Sequence, residues 1–429
     1  MREKLKKELN KLSKTGFFSI FLSSVFSKVL VFIGGTIIVR IISKTDYGIY
    51  TYVLNCMAML MILNDFGAST AALQFLTEEK DNVEERNKYF KYTMKITLVS
   101  SLVSSILIFL SPYFYPFKIE EAKTFTPILC LVPIISNIGN LFAIILRVNL
   151  DNKRYAILQI FSTFASYLFL ITFSYFWGLN GAISSQYIYY FTVLLFSLFL
   201  SLKYIRKYKT KKRLTKERKS SFLKFSIANQ INNTISGLLI VVDTFIIGLI
   251  ISDPDIIATY KVGSTIPHAL TFISTCVAIY IVPYFIKNNK NKKWLRSNLK
   301  KILLYGTLGY GLMFGSIILL ANFIIGIVYG SNYSNSVSVF IILMIGLFFT
   351  SAYKIPCANM LQSMKKVKIN IIVNVTAVFL NAILNVIFIN KFGFVGAAIT
   401  TTIINIFVSL IYMIYLFKNL KDVGEFKND

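Results

Sequence analysis

The sequence predicts an all-α polytopic membrane protein with twelve transmembrane helices in two pseudo-symmetric six-helix lobes. Three observations predict it. Apolar runs of about 20 residues, the length that crosses ~30 Å of hydrocarbon, alternate with short polar breaks along nearly all of the 429 residues. A basic segment, Lys203 to Lys224, sits almost at the midpoint and carries eleven Lys or Arg against one acid, Glu217. Short motifs also recur at an offset of about half the chain.

The first of these observations is supported by composition. Hydrophobic residues make up 55% of the chain and the mean hydropathy is +0.64, far from a soluble domain. The four cysteines, Cys56, Cys130, Cys276 and Cys357, all fall inside apolar runs with no CxxC spacing. They read as small buried hydrophobes, not as disulfides or metal ligands.

Taken in order, residues 2–14 come first. They place Leu5, Leu9 and Leu12 on one side of an otherwise charged helix, the pattern of a helix lying on a membrane surface. The run that follows is too long for a signal-peptide core and lacks a small-x-small cleavage site, so it reads as the first span. The twelve segments are 17–39, 49–76, 92–114, 124–146, 155–176, 181–202, 225–250, 257–284, 302–322, 336–364, 369–390 and 394–417. They define an N-terminal lobe over 1–202, a basic cytoplasmic linker over 203–224 and a C-terminal lobe over 225–429.

Charge assigns the sides. With the N-terminus inside, 37 of the 46 Lys and Arg fall in inner segments and five in outer loops. The positive-inside rule therefore predicts a multi-pass membrane protein with both termini cytoplasmic, and the plasma (inner) membrane is its expected place. The net charge of +27 follows this topology instead of forming one face, which excludes nucleic acid as a partner.

The repeat rests on three matches. The turn Gly178–Ile183 after span five reads GLNGAI, and Gly393–Ile399 after span eleven reads GFVGAAI, 215 residues later. Ile42–Asp46 after span one recurs as Ile251–Asp255 after span seven, and basic turns follow spans four and ten. Six spans per half is an even number, so both halves keep one orientation, and such pairs enclose a cavity.

Little in the chain looks catalytic. There is one histidine, hence no HExxH site, and no GxxxxGK[ST] loop for an ATPase. Seventeen of the nineteen acids lie in loops or tails, and the outer loops are too short for an enzymatic domain. No catalytic, metal or cofactor residues are assigned. What remains are ionisable groups within the apolar runs, which by default face a cavity or a partner. Lys28 lies about eleven residues, ~16 Å, below the outer end of its span, too deep to reach the surface easily. His268 lies at a similar depth in span eight. Arg40 and Lys261 sit nearer the outer interface. Asp65, Asp243 and Lys354 read either as coupling groups or as packing groups.

Several stretches resemble one family. Arg40–Val53 (RIISKTDYGIYTYV) is similar to its signature after span one, and Asn64–Phe75 (NDFGASTAALQF) to the Asp-Leu-Gly-x-x-x-Ala element of span two, with Phe66 in place of leucine. Val241–Gly248, Val328–Phe340 and Asn390–Thr401 resemble its elements at spans seven, ten and twelve. Together they resemble the polysaccharide-transport family of O-unit flippases, within the multidrug/oligosaccharidyl-lipid/polysaccharide exporter superfamily. The resemblance implies a transporter, not an enzyme, that moves a polyprenyl-diphosphate-linked oligosaccharide to the outer leaflet for lipopolysaccharide or capsule assembly. It implies a cationic cavity in which Lys28, Arg40, Lys261 and His268 bind substrate. Its partners would be the lipid-linked oligosaccharide, membrane lipids and a polysaccharide polymerase. The alternatives are a multidrug exporter of the same superfamily, whose site should be acidic and aromatic, and a glycolipid polymerase or ligase.

Overall fold

Within hydrocarbon every backbone N–H and C=O needs a partner inside the chain, so long apolar runs cross as helices or as a closed barrel. The computed structural model describes residues 17–421 except 63, 80, 209, 211 and 365, and among them every regular element is helical. The expected surface helix over 2–14 and the end of the C-terminal tail lie outside the described residues.

In the first half the helices are α1 (Phe17–Ile41), α2 (Lys44–Leu60), α3 (Ala68–Glu78), α4 (Val83–Phe114), α5 (Glu120–Ile128), α6 (Val132–Val148) and α7 (Asn152–Ile205). There follow α8 (Lys216–Ile250), α9 (Pro254–Lys287), α10 (Lys292–Leu319), α11 (Ala321–Tyr329), α12 (Ser336–Phe349), α13 (Ile355–Ser363), α14 (Val367–Phe392) and α15 (Val395–Lys421). Among the described residues nine helices are long and apolar enough to cross a membrane, or up to eleven if two bent pairs each count as one span. The protein is thus a multi-pass membrane protein.

The second expected span is not one continuous helix. α2 and α3 meet at 47°, across a break in which Asp65, Phe66 and Gly67 all take positive φ (66°, 43° and 73°). Hydropathy averaged over this stretch hides the Asn-Asp-Phe-Gly turn inside it.

α7 spans 54 residues yet is not one rod. Trp177 and Gly178 leave helical geometry, Gly178 at φ 53° and ψ −133°, and the chain folds back on itself there. The Ser162 and Tyr189 hydroxyls lie 3.1 Å apart, and the Tyr204 hydroxyl donates to Asp151 Oδ2 at 2.9 Å. At the turn the backbones approach so closely that a Cβ on Gly181 would sit 1.9 Å from the Phe173 carbonyl oxygen. The same geometry recurs 215 residues later: Gly393 takes φ 60°, and a Cβ on Gly396 would meet the Phe388 carbonyl oxygen at 2.1 Å. The two GxxGA turns are therefore alike in backbone as well as in sequence.

The chain forms two compact units, Met1–Thr234 and Ile235–Asp429, with the boundary inside α8. In the first, Leu76, Tyr89, Phe90, Leu141, Ile145 and Phe222 are packed in one apolar core. In the second, Leu299, Cys357, Met360, Tyr412 and Leu416 do the same. α4 presents a buried stripe of small hydroxyl residues, Thr93, Thr97, Ser100, Ser101 and Ser104, which lets neighbouring backbones approach where lipid gives no hydrophobic drive.

One end of the first unit gathers the segments around residues 79–88, 147–154 and 203–218. Arg218 Nη1 lies 2.7 Å from Glu79 and 2.9 Å from Glu85. Lys212 pairs with Glu84 at 2.9 Å, Lys203 with Asp151 at 3.4 Å, and Asn87 donates to the Lys207 carbonyl at 3.1 Å. The basic segment is thus laid against acids just after α3, in α4 and in the α6–α7 turn. Each exposed pair contributes little, but together they fix where the segment lies.

Candidate functional site

In the first unit a polar cavity is built from helix faces. Ser24, Ser27 and Lys28 recur at i, i+3 and i+4, so α1 presents them together. α6 adds Asn140, the first limb of α7 adds Gln159 and the second adds Tyr189, and the space they enclose is about 480 Å³. Gln159 is oriented by the Ser23 hydroxyl, which donates to its Oε1 at 3.2 Å, and Asn140 donates to the Ser69 hydroxyl at 3.1 Å. Ser27 Oγ is buried without a partner among the described residues. Lys28, which lines the same space, makes no ion pair with any described residue. The result is one ammonium among neutral hydroxyl, amide and phenol groups, with no carboxylate on the wall among the described residues.

The second unit holds a smaller cavity of about 180 Å³, lined among others by His268, Thr350, Lys354, Asn381, Thr401 and Asn405. Lys354 ends a π-helical turn, Thr350–Lys354, between α12 and α13. π turns of this kind frequently mark functional positions. The Lys354 ammonium donates to Asn405 Oδ1 at 3.1 Å. Behind the wall stands Asp243, buried at 6% exposure. It accepts hydrogen bonds from Tyr260 (2.7 Å), Asn385 (2.8 Å) and Thr401 (2.5 Å), which satisfy a carboxylate otherwise costly to bury.

Asp65 is equally committed. It accepts from the Ser69 backbone N–H at 2.7 Å and from the Thr97 hydroxyl at 3.0 Å, capping α3 after the break. The carbonyls freed at the break are met by α8: Ser226 donates to Phe66 O at 2.5 Å, and Gln230 and Thr234 donate to Ile62 O at 2.8 and 3.0 Å. These donors recur every fourth residue, so one stripe of α8 satisfies the break in α2–α3.

Of the sequence-predicted residues, the structure brings His268 and Lys354 to one cavity and places Lys28 on another. Lys261 lies seven residues before His268, two helical turns along the same face of α9, and is exposed, but it does not line the His268 cavity. Arg40 is exposed at the end of α1, ~18 Å along the axis from Lys28, and does not line the Lys28 cavity. Sequence reasoning missed Ser27, Asn140, Gln159 and the amides of α14. The Ser24-Ser27-Lys28 spacing was the one available signal, because neutral polar residues are common enough in spans to draw no notice. Among the described residues no three His, Cys, Asp or Glu come together to hold a metal ion.

A family model described as "Polysaccharide biosynthesis protein" matches residues 13–289. The chain belongs to that family. This family member is 29% identical over 183 residues to a Shigella flexneri protein named "Putative O-antigen transporter", an alignment covering 40% of this chain and 41% of that protein. It thus spans less than half the length of that relative. It is 24% identical over 413 residues to an uncharacterized membrane protein of Methanocaldococcus jannaschii, covering 88% of this chain and 78% of that one. Among solved structures, the lipid II flippase MurJ in an inward closed conformation superimposes with a TM-score of 0.71 at 20% identity, over 94% of this chain and 87% of that chain. An inward-facing multidrug resistance MATE transporter of the MOP superfamily also gives 0.71, at 14% identity over 93% and 96%. At these identities the likeness is one of fold. The polysaccharide family member therefore has the fold of MOP-superfamily transporters, as the sequence motifs implied.

Proposed function

We propose that this protein moves a polyprenyl-diphosphate-linked oligosaccharide from the cytoplasmic to the outer leaflet of the plasma membrane for surface polysaccharide assembly. In this reading it has twelve spans, six per lobe, with both termini cytoplasmic. The two limbs of α7 and the bent α2–α3 and α8 supply the spans that length alone does not count. Membership of the polysaccharide biosynthesis family supports the glycan, and the fold supports transport over polymerase or ligase chemistry.

The observation that carries the reading is the charge of the two polar cavities. Each is lined by a lysine and by no carboxylate among the described residues, which suits an anionic group and opposes a cationic drug. Asp65 and Asp243, whose carboxylates already accept two and three hydrogen bonds, serve packing. The Lys28 cavity, rich in hydroxyls, amides and phenols, takes the sugar and phosphate end, with Arg40 and to a lesser degree Lys261 as further positive points along the path. The polyprenyl tail stays in lipid, and a polymerase in the outer leaflet consumes the product.

Reconstituted vesicles test this. Flipping of the lipid-linked oligosaccharide should require the protein, and an inside-negative potential should speed outward movement of the anion, by up to ~2.3 kcal/mol per charge per 100 mV. Lys28→Ala should slow flipping severalfold with normal membrane insertion, and Lys28→Arg should keep part of it. Equal transport of a neutral polyprenyl lipid, or normal flipping by Lys28→Ala, would overturn the assignment of Lys28.

A further inference from the structure

The cavity of the second unit is unusual in its balance of donors and acceptors. Lys354 carries three N–H donors, and the structure gives its ammonium one acceptor, Asn405 Oδ1 at 3.1 Å. Thr350 Oγ1, one turn earlier on the same π turn, is buried without any partner among the described residues. The His268 imidazole lines the same space and makes no hydrogen bond with another described residue. The acceptors on the wall are engaged: Asn381 Oδ1 takes a bond from Asn385 at 2.9 Å, and Asp243, behind the wall, is capped by Tyr260, Asn385 and Thr401, while Asn385 Oδ1, buried without a partner among the described residues, does not line the space.

A half-satisfied ammonium in a low-dielectric interior is costly, because desolvation is repaid only when its remaining protons are met. Donors converging on a space of about 180 Å³ whose wall, among the described residues, holds no carboxylate and no unengaged amide oxygen describe an anion site. The cavity also stands where the repeat predicts one. Asn405 here and Tyr190 on the wall of the Lys28 cavity are 215 residues apart, the separation of the two GxxGA turns. The two units thus hold counterpart cavities whose lysines come from different helices, span one in the first and span ten in the second.

We infer that the Lys354–Thr350–His268 cavity is a phosphoryl-binding site in its own right, separate from the Lys28 cavity. It takes a phosphate or diphosphate group, with Lys354 as the charge and Thr350 and His268 as orienting donors. The inference extends the flippase reading without depending on transport, since binding is measured at equilibrium. The group belongs either to a lipid-linked diphosphate or to a free anion.

The test uses the full-length protein in detergent, carrying Lys28→Gln so that the first cavity is silenced, titrated calorimetrically with inorganic pyrophosphate and with farnesyl diphosphate. Saturable binding is expected, weakened at least tenfold by adding Lys354→Gln and several-fold by adding Thr350→Val. Lys354→Met guards against misfolding: removing a half-buried charge with one acceptor should leave the thermal midpoint equal or higher, while abolishing the upward shift that pyrophosphate gives. Absence of saturable binding in the Lys28→Gln protein, or equal binding with Lys354 replaced, overturns the site. Farnesyl diphosphate binding more tightly than pyrophosphate assigns the site to the lipid-linked group, and the reverse assigns it to a free anion. Absence of flipping by the wild-type protein with pyrophosphate binding intact would overturn the transport reading alone.

Discussion

Asn64 and Asn137 face one another as a reciprocal amide pair: each donates to the other's Oδ1, at 2.8 Å from Asn64 and 2.6 Å from Asn137. Asn137 spends its second N–H on the Ser101 hydroxyl at 2.8 Å. The pair ties the break between α2 and α3 to α6 and α4 without any charge. Asn137→Ala leaves these groups unpaired and should destabilise the protein by about 1–3 kcal/mol per orphaned group. Thermal unfolding in detergent reads this, and the Asn64→Ala/Asn137→Ala double variant should lose less than the sum of the singles. Additive losses would show that the pair is not coupled.

Gly67 is a second fixed point of the same break. A Cβ there would lie 2.2 Å from the Ser226 carbonyl oxygen, on a backbone at φ +73°. Gly67→Ala should therefore cut the yield of monodisperse protein severalfold. Gly237→Ala is the control, since a Cβ at that position meets nothing within 4 Å; it should be neutral or stabilising by about 0.5–1 kcal/mol. Equal yields for the two variants would mean that α8 and the break move apart freely.

Asp151 starts α7, where its carboxylate receives the Arg154 backbone N–H at 3.3 Å and the Tyr204 hydroxyl at 2.9 Å. Partial burial raises its pKa, but the hydrogen bonds from Tyr204, Arg154 and Lys203, with the Lys203 charge, outweigh it and hold the carboxyl below its ordinary value. A depressed carboxyl contributes stability above its unfolded pKa and loses it as pH falls through the folded one. Asp151→Asn keeps a cap of equal rank but removes the charge facing Lys203, and should therefore cost at most about 1 kcal/mol at neutral pH, the scale of a partly exposed ion pair. The difference from wild type should shrink as the pH is lowered below the ordinary aspartate range. A gap in melting temperature that persists in acid would assign the effect to shape and not to charge.

Topology has a direct check. Reporter fusions at Gly178, Asp253 and Asn332 should read outside, and fusions at Lys212 and Lys292 inside. A cytoplasmic signal at Asp253 would invert the second half and sink the parallel repeat.

Much of the fold was legible because a bilayer admits few solutions. Twenty apolar residues between charged turns mean a helix, and charge asymmetry gives the sides. The break at Asp65–Gly67 was not legible, because window-averaged hydropathy treats Asn64, Asp65 and Gly67 as noise inside a span. Nor was the origin of the helix partners that make the break tolerable, since Ser226, Gln230 and Thr234 lie 160, 168 and 172 residues from the carbonyls they meet. At the candidate site, charge was legible and neutrality was not. Lys28, His268 and Lys354 stand out in apolar runs, whereas Gln159, Asn140 and Thr350 matter only through the neighbours that folding brings to them. Asp65 and Asp243 stood out equally, and only their hydrogen-bond partners show that both carboxylates are already occupied.

The walls around Lys28 carry a consequence for biogenesis. Asn140 and Gln159, which line the space it enters, are synthesised more than 100 residues after it. Span one therefore meets the translocon with its lysine uncovered, at a cost of ~2.5–3.5 kcal/mol for a charge near the helix centre. Each Leu, Ile, Phe or Val near the centre returns roughly 0.3–0.6 kcal/mol, and eight of them stand between Lys28 and Arg40, about enough to break even. Several of those side chains, Val29, Ile33 and Ile37 among them, remain exposed in the finished protein. Their role is to carry the nascent segment into the lipid before its polar lining exists. Polar replacements on that face would be rejected during insertion, leaving a product missing from the membrane instead of an inserted but inactive one.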